Sequence, residues 1–242
     1  MISKRFIKEL TEKQQTLMIN IVREYLQHLF LSYLYQKKFS ECILFKGGTA
    51  LKVIYNSPRF SEDLDCSGFN INFKRVESLV LETIVDMERT KISTKIEESK
   101  STTGGYLGIF LFELFEYKIP LQIEISLRRT KKKAKGGIIL IDNDYIPPYS
   151  LISLSCSQLV EEKIKALLDR GRPRDFFDIY FLLRSNIPID KKNLNLYPVV
   201  KKLESTNIDF KKELKMLLPK SYHMLLKDFK EVLEREIKRY GF

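Results

Sequence analysis

The chain has 242 residues, 44% hydrophobic and 30% charged, an ordinary globular composition that excludes a disordered or fibrous polymer. Its 42 basic against 31 acidic residues give a formal charge of +11, which favours a polyanionic partner, nucleic acid first, unless the surplus is only the habit of a lysine-rich organism. Three cysteines (Cys42, Cys66, Cys156) and two histidines (His28, His223) stand at no ligand spacing, so no convincing zinc centre can be assembled and reduced thiols are expected.

Met1 to Leu10 carries no apolar block, and the most apolar runs are broken by charge well short of a membrane span. A cytoplasmic protein without membrane segments is therefore expected. Thr11 to Tyr35 reads as one long helix, with Leu17, Ile21, Tyr25, Leu29 and Tyr33 at four-residue steps. Cys42 to Phe45 reads as a short buried strand. A Gly47-Gly48-Thr49 turn opens a helix through Ala50, Leu51 and Ile54, and a loop then leads to Arg59-Phe60-Ser61-Glu62-Asp63-Leu64-Asp65. Phe73 to Arg89 is amphipathic at helical spacing. Ser93–Glu98, Tyr106–Leu114 and Ile119–Leu127 read as strands, and Arg128 to Lys135, six basic residues in eight, as an exposed connection into a strand at Gly137–Ile141.

Pro147-Pro148 marks a change in composition, after which the chain reads as helical. Ser155 with Gln158 three residues later is a capping-box pattern, opening a helix to about Asp169. Gly171-Arg172-Pro173 breaks it, and a second helix runs from near Arg174 to Arg184. The expected architecture is α/β (α+β): a mixed sheet flanked by helices over residues 1–146, and a helical region over 147–242 that completes a cleft.

Several residues could carry chemistry. A glycine pair at a helix start lets a phosphate approach backbone N–H groups and the positive end of the helix. Asp63 and Asp65, at i and i+2 on an extended segment, point to one side. Taken alone, such a pair is usually a solvated loop. Here a third acid, Glu124, sits on the polar face of another strand, opposite Leu121, Ile123 and Ile125. Three converging carboxylates repel unless cations are bound, the arrangement of a two-metal site; the alternative for Glu124 is a plain solvent-facing residue. Ser61 shares the face of the two acids and either contacts phosphate or caps the turn. Lys46 either reaches a phosphate or is the polar end of a buried strand. Lys163 falls within the apolar face of its helix, so it either meets an anion or snorkels outward. Asp175 and Asp178 form an acidic stripe on an apolar helix. They face either a polar site or the nearby Arg170, Arg172 and Arg174, and Asp175 could simply be a first-turn acid.

In order, Lys46-Gly-Gly-Thr-Ala-Leu51, Arg59-Phe-Ser-Glu-Asp-Leu-Asp65, Glu162-Lys163 and Arg174-Asp-Phe-Phe-Asp178 resemble the AbiEii/AbiGii toxin family, the group that includes the mycobacterial MenT proteins. The resemblance implies a DNA polymerase β-type nucleotidyltransferase core that transfers nucleotides from NTPs. It further implies a toxin partnered by a separate AbiEi-type antitoxin chain, with the acceptor end of tRNA as one known target class. Carried over, Gly47 and Gly48 begin the nucleotide-binding turn and Ser61 lies beside the triphosphate. Asp63, Asp65 and Glu124 hold Mg²⁺ (or Mn²⁺), Lys163 contacts phosphate, and Asp178 with Asp175 completes the site. The wider superfamily has Gly-Ser where this chain has Gly47-Gly48, so Thr49 or backbone N–H groups would replace that serine. The expectation is nucleotidyl transfer to RNA. Its rivals are the same chemistry on a protein or a small molecule such as an aminoglycoside, and a non-catalytic nucleotide- or nucleic-acid-binding module.

Overall fold

The computed structural model describes residues 2–128 and 136–240. The greater part of the basic run Arg128 to Lys135 therefore lies outside the described residues. The chain divides into two compact units. The first holds the residues up to Asn56 and Phe60–Leu154; the second holds Ser57–Arg59 and the chain from Ser155 onward. The division lies beyond the expected one at residue 146, because the residues after Pro148 form a further strand of the first unit.

The first unit begins with helices α1 (Lys4–Lys13) and α2 (Met18–Leu34). The single helix expected from Thr11 to Tyr35 is thus broken. Gln15 takes a left-handed backbone, φ 52°, a conformation that cannot continue a right-handed helix. Leu17, expected on the buried stripe, is the exposed residue that precedes α2. The rest of α2 is buried on nearly every side, as expected of a central helix.

Strand β1 (Ile43–Lys46) leads directly into helix α3 (Gly47–Tyr55), which is followed by strand β2 (Leu64–Phe69) and helix α4 (Phe73–Glu88). Then come β3 (Ser93–Thr102), β4 (Gly105–Leu114), β5 (Tyr117–Arg128), β6 (Gly136–Ile141) and β7 (Tyr149–Leu154). The seven strands form one mixed sheet in the order β3-β4-β5-β2-β1-β7-β6. β2 runs antiparallel to β1 and parallel to β5. β7, which the proline pair concealed, lies parallel to β1 and antiparallel to β6.

Several buried polar side chains of α2 are paired, as burial of polar groups favours. The Tyr145 hydroxyl donates to Glu24 at 2.7 Å, and Lys52 lies 3.7 Å from the same carboxylate. His28 Nδ1 and the Tyr149 hydroxyl share a hydrogen bond of 3.0 Å.

In the second unit, α5 (Cys156–Arg170) is capped by Ser155, whose hydroxyl accepts from the Gln158 N–H as the capping pattern predicts. α6 (Pro173–Arg184) carries the aromatic core. Phe177 stacks on Phe229 with centroids 5.9 Å apart, and Phe210 meets Phe229 edge-on at 5.0 Å. These partners come from α8 (Phe210–Leu217) and α9 (Phe229–Lys238), with α7 (Tyr197–Glu204) before them. Among the described residues, no helix is long and apolar enough to cross a membrane.

Burial, reinforced by the Lys52 charge, lowers the His28 pKa to about 3. The folded chain therefore keeps His28 neutral in a range where the unfolded chain, with a value near 6.5, takes up a proton. Because the unfolded state binds more protons there, stability falls as pH drops from about 6.5 towards 3. Replacing His28→Gln should flatten the loss of unfolding free energy between pH 6.5 and 4, measured by urea titration at each pH. An unchanged slope would show that His28 does not carry it.

Candidate active site

The residues singled out in the sequence fall into two clusters, one in each unit. The first is a row across the centre of the sheet. Lys46 on β1 is the register partner of Asp65 on β2, and Asp65 is the register partner of Glu124 on β5. Alternation along the strands separates this row from the core. Phe45, Leu64, Cys66, Ile123 and Ile125 are buried, whereas Lys46 and Asp65 are half-buried and Glu124 is exposed. Register partners in one row present their side chains on the same face of the sheet, so the two carboxylates belong to one polar surface.

Gly47 explains how the turn fits beside them. Its φ of +86° is in the left-handed region, where a side chain is strained. A Cβ there would lie 2.3 Å from Asp65 Oδ2, so the bare backbone of the turn leaves room for that carboxylate. Gly47 also opens α3, which has no side-chain cap, and so its first N–H groups have no intrahelical partner.

Asp63 precedes β2 in a half-buried segment that belongs to no helix or strand. The segment is held by side chains. The Thr49 hydroxyl donates to the Asp63 carbonyl. The Gln27 amide donates to the carbonyls of Ser61 (3.0 Å) and Glu62 (3.3 Å). Arg23 lies 3.6 Å from the Glu62 carboxylate.

Hard carboxylate oxygens on a common face suit a hard divalent cation in their chemistry. Among the described residues, however, no three His, Cys, Asp or Glu side chains stand together as a ready-made ligand set. The acids are arranged as a register pair with a loop acid beside them in sequence.

The second cluster is an ion triad. Arg59 binds Asp178 through Nε at 2.7 Å and Nη2 at 2.9 Å, and Lys163 Nζ donates to the same carboxylate at 2.6 Å. All three are buried. Burial alone would raise the Asp178 pKa, but Arg59 and then Lys163 outweigh it and hold the carboxyl down to about 2. Burial also opposes the Arg59 charge, and Asp178 more than offsets this, raising the guanidinium further. Lys163 lies on the buried stripe of α5 with Leu159, Val160 and Leu167, as its spacing predicts.

A family model described as nucleotidyl transferase AbiEii toxin, type IV toxin–antitoxin system, matches residues 29–239. The chain belongs to the AbiEii nucleotidyl transferase toxin family. An uncharacterized protein of Aquifex aeolicus (strain VF5) is 32% identical over 166 residues, which cover 68% of this chain and 66% of that protein, just under two thirds of its length. The crystal structure of JHP933 from Helicobacter pylori aligns over 93% of this chain and 95% of its own, with a TM-score of 0.55 and 19% identity. A second H. pylori structure, described as a candidate nucleotidyltransferase, aligns over 92% and 98% with a TM-score of 0.54 and 18% identity. At those identities the two structures speak for the fold, and the family model speaks for the activity. That family is described as nucleotidyl transferases of a type IV toxin–antitoxin system.

For an AbiEii protein, some expected site residues take informative positions. Thr49, a candidate for the missing phosphate serine, is fully buried and its hydroxyl is given to the acid segment. Gly48 is buried behind the turn, and Ser61 is half-buried with its carbonyl taken by Gln27. Asp175 is also occupied. It accepts from the Arg172 N–H at 3.1 Å, closing a capping box, and from Arg170 Nε and Nη2 at 2.9 and 2.7 Å. That is the first-turn role open to it from the sequence. Sequence reasoning missed Gln27 and the pairing of Arg59. The available signal was a glutamine on a helix apolar on all sides, and an arginine opening the acid motif. A cleft of about 1020 Å³ in the first unit, walled by Tyr25, Tyr33, Tyr35, Tyr145 and Tyr149, holds none of the acids.

The Gly47→Ala substitution tests the turn. The strained backbone should cost about 1–2 kcal/mol of stability, and the displaced Asp65 carboxylate should lower transfer about 100-fold or more. Denaturant unfolding and turnover together check it. Parental turnover in a folded Gly47→Ala chain would show that the close approach to Asp65 is dispensable.

Proposed function

We propose that the chain transfers a nucleotide from an NTP to an RNA hydroxyl, with tRNA as the acceptor class, in a reaction that requires Mg²⁺ or Mn²⁺. The observation that carries this reading is the row of Asp65 and Glu124 in register beside the open turn at Gly47. Asp65 and Glu124, with Asp63 from the adjoining segment, are the residues that would hold the divalent ion. When bound, that ion supplies charge neutralisation at the phosphates and lowers the pKa of an attacking hydroxyl.

The chain's own groups account for the remainder. The first N–H groups of α3, starting at Gly47 and Gly48, bind phosphate oxygens through the helix N-terminus, with Ser61 and Lys46 nearby in sequence as further contacts. In the second unit, Lys163 and Arg59 are both tied to the Asp178 carboxylate. The RNA hydroxyl attacks the α-phosphorus in line. A new P–O bond forms as the bond to the β-phosphate bridge breaks, and pyrophosphate leaves.

RNA as acceptor rests on the net charge of +11, which favours a polyanion over a small cationic acceptor. The antitoxin would be an AbiEi-like separate chain, and the setting cytoplasmic, where NTPs and tRNA are found.

The test is incubation with each α-labelled NTP, Mg²⁺ and total RNA, followed by sizing of the labelled product. Label should enter RNA of tRNA length with at least one NTP. Asp65→Asn should reduce incorporation by about 10³-fold or more while leaving the melting temperature within a few degrees. Label confined to protein would replace the RNA reading with a protein acceptor. Parental incorporation by Asp65→Asn would remove Asp65 from the metal site.

A further inference from the structure

We infer that Gln27 and Thr49 are positioning residues that hold the acid segment in a metal-competent shape, Thr49 serving in this way in place of contacting phosphate. The inference rests on the reading of Asp63 and Asp65 as metal ligands.

Between Phe60 and Asp63 the chain belongs to no strand or helix, so no strand ladder fixes it. Three successive carbonyls, those of Ser61, Glu62 and Asp63, instead accept hydrogen bonds from side chains: the first two from Gln27, the third from Thr49. Both donors are almost wholly buried, Gln27 at 1% and Thr49 at 0% exposure. Neither can leave its partner for water without strong cost. Each is borne on a regular element, Gln27 on α2 and Thr49 on α3, and sites held by helices are more precise than sites held by loops.

The need for such a clamp is electrostatic. Asp63 and Asp65 are two residues apart and lie in the same part of the chain as Glu124's register partner. Like charges gathered on one stretch of chain strain it, and a segment outside any strand could relax by shifting its backbone. Donors on the backbone carbonyls resist that motion without neutralising the acids, so the charge that attracts the cation is kept. Outer partners of metal ligands have this kind of leverage.

The experiment is Mn²⁺ titration of the full chain by electron paramagnetic resonance, paired with thermal melting and with KM and kcat for the transferred NTP. Gln27→Met should weaken Mn²⁺ binding about 10-fold and lower kcat, with the KM for NTP changed by less than about threefold. Thr49→Val should do the same, and Thr49→Ser, which keeps the donor, should behave as the parent. The double variant Gln27→Met/Thr49→Val should lose less than the product of the two single losses, because both act on one segment. Asn20, buried on the same helix and bonded to Thr16, is the stability control. Asn20→Ala should lower the melting temperature and leave Mn²⁺ affinity unchanged.

Mn²⁺ affinity within twofold of the parent in Gln27→Met or Thr49→Val overturns the inference. So does equal weakening in Asn20→Ala, since that would be a general effect of instability. If Gln27→Met fails to fold, the contrast between Thr49→Val and Thr49→Ser decides the matter alone. A parental chain whose Mn²⁺ binding is absent, or indifferent to Asp65→Asn, overturns the metal reading itself.

Discussion

The register of β2 between β1 and β5 is the constraint on which the first unit's chemistry depends. It sets Lys46, Asp65 and Glu124 in one row. Side chains alternate with a period of two, so a slip of one residue would turn Asp65 into the core and bring Leu64 or Cys66 to the surface. Both of those are buried to within 2%, and burying a carboxylate in their place would cost several kcal/mol. The hydrophobic pattern therefore fixes the register, and the register fixes which side chains share the row. Gly47 completes it, because only a residue without a Cβ lets the turn pass so near Asp65.

Both units carry buried polar side chains, and they are stabilised in different ways. In α2 two of the groups meet neutral partners, Gln27 on carbonyls and His28 on a tyrosine hydroxyl, while Glu24 meets Tyr145 and the Lys52 charge. Burial raises the Glu24 pKa, against the opposing pull of Lys52. In the second unit the groups are fully charged, and one carboxylate satisfies a bidentate guanidinium and an ammonium together. Breaking such a buried cluster typically costs about 3–5 kcal/mol. Arg59 belongs to the same motif as Asp63 and Asp65 in sequence, so in this chain residues 59–65 supply an ion-pair partner for Asp178 as well as an acid pair.

Features encoded by local pattern were legible in the sequence. The alternation around Glu124 identified its polar face, and the four-residue spacing around Lys163 placed it on a buried stripe. The serine cap at Ser155 and the break at Gly171 marked the bounds of α5. Features set by long-range pairing were not. The strand Tyr149–Leu154 gains its status from its partners β1 and β6, and its own six residues after a proline pair do not announce it. The break at Gln15 depends on one left-handed residue with no glycine to signal it. Thr49 looked like a phosphate ligand because its position in the motif was visible and its partner, the Asp63 carbonyl, was not. Gln27 had no motif at all; only the packing of α2 against the acid segment gives it a role.

The central claim is that Asp65 and Glu124 form the divalent-cation face of a nucleotidyltransferase. It is tested most directly by a crystal structure of the full chain with Mn²⁺ and a non-hydrolysable NTP, with anomalous scattering recorded at the manganese edge. The account predicts an anomalous peak at inner-sphere distance from the carboxylates of both Asp65 and Glu124. A peak elsewhere, or an ordered NTP with no manganese on either carboxylate, would contradict it.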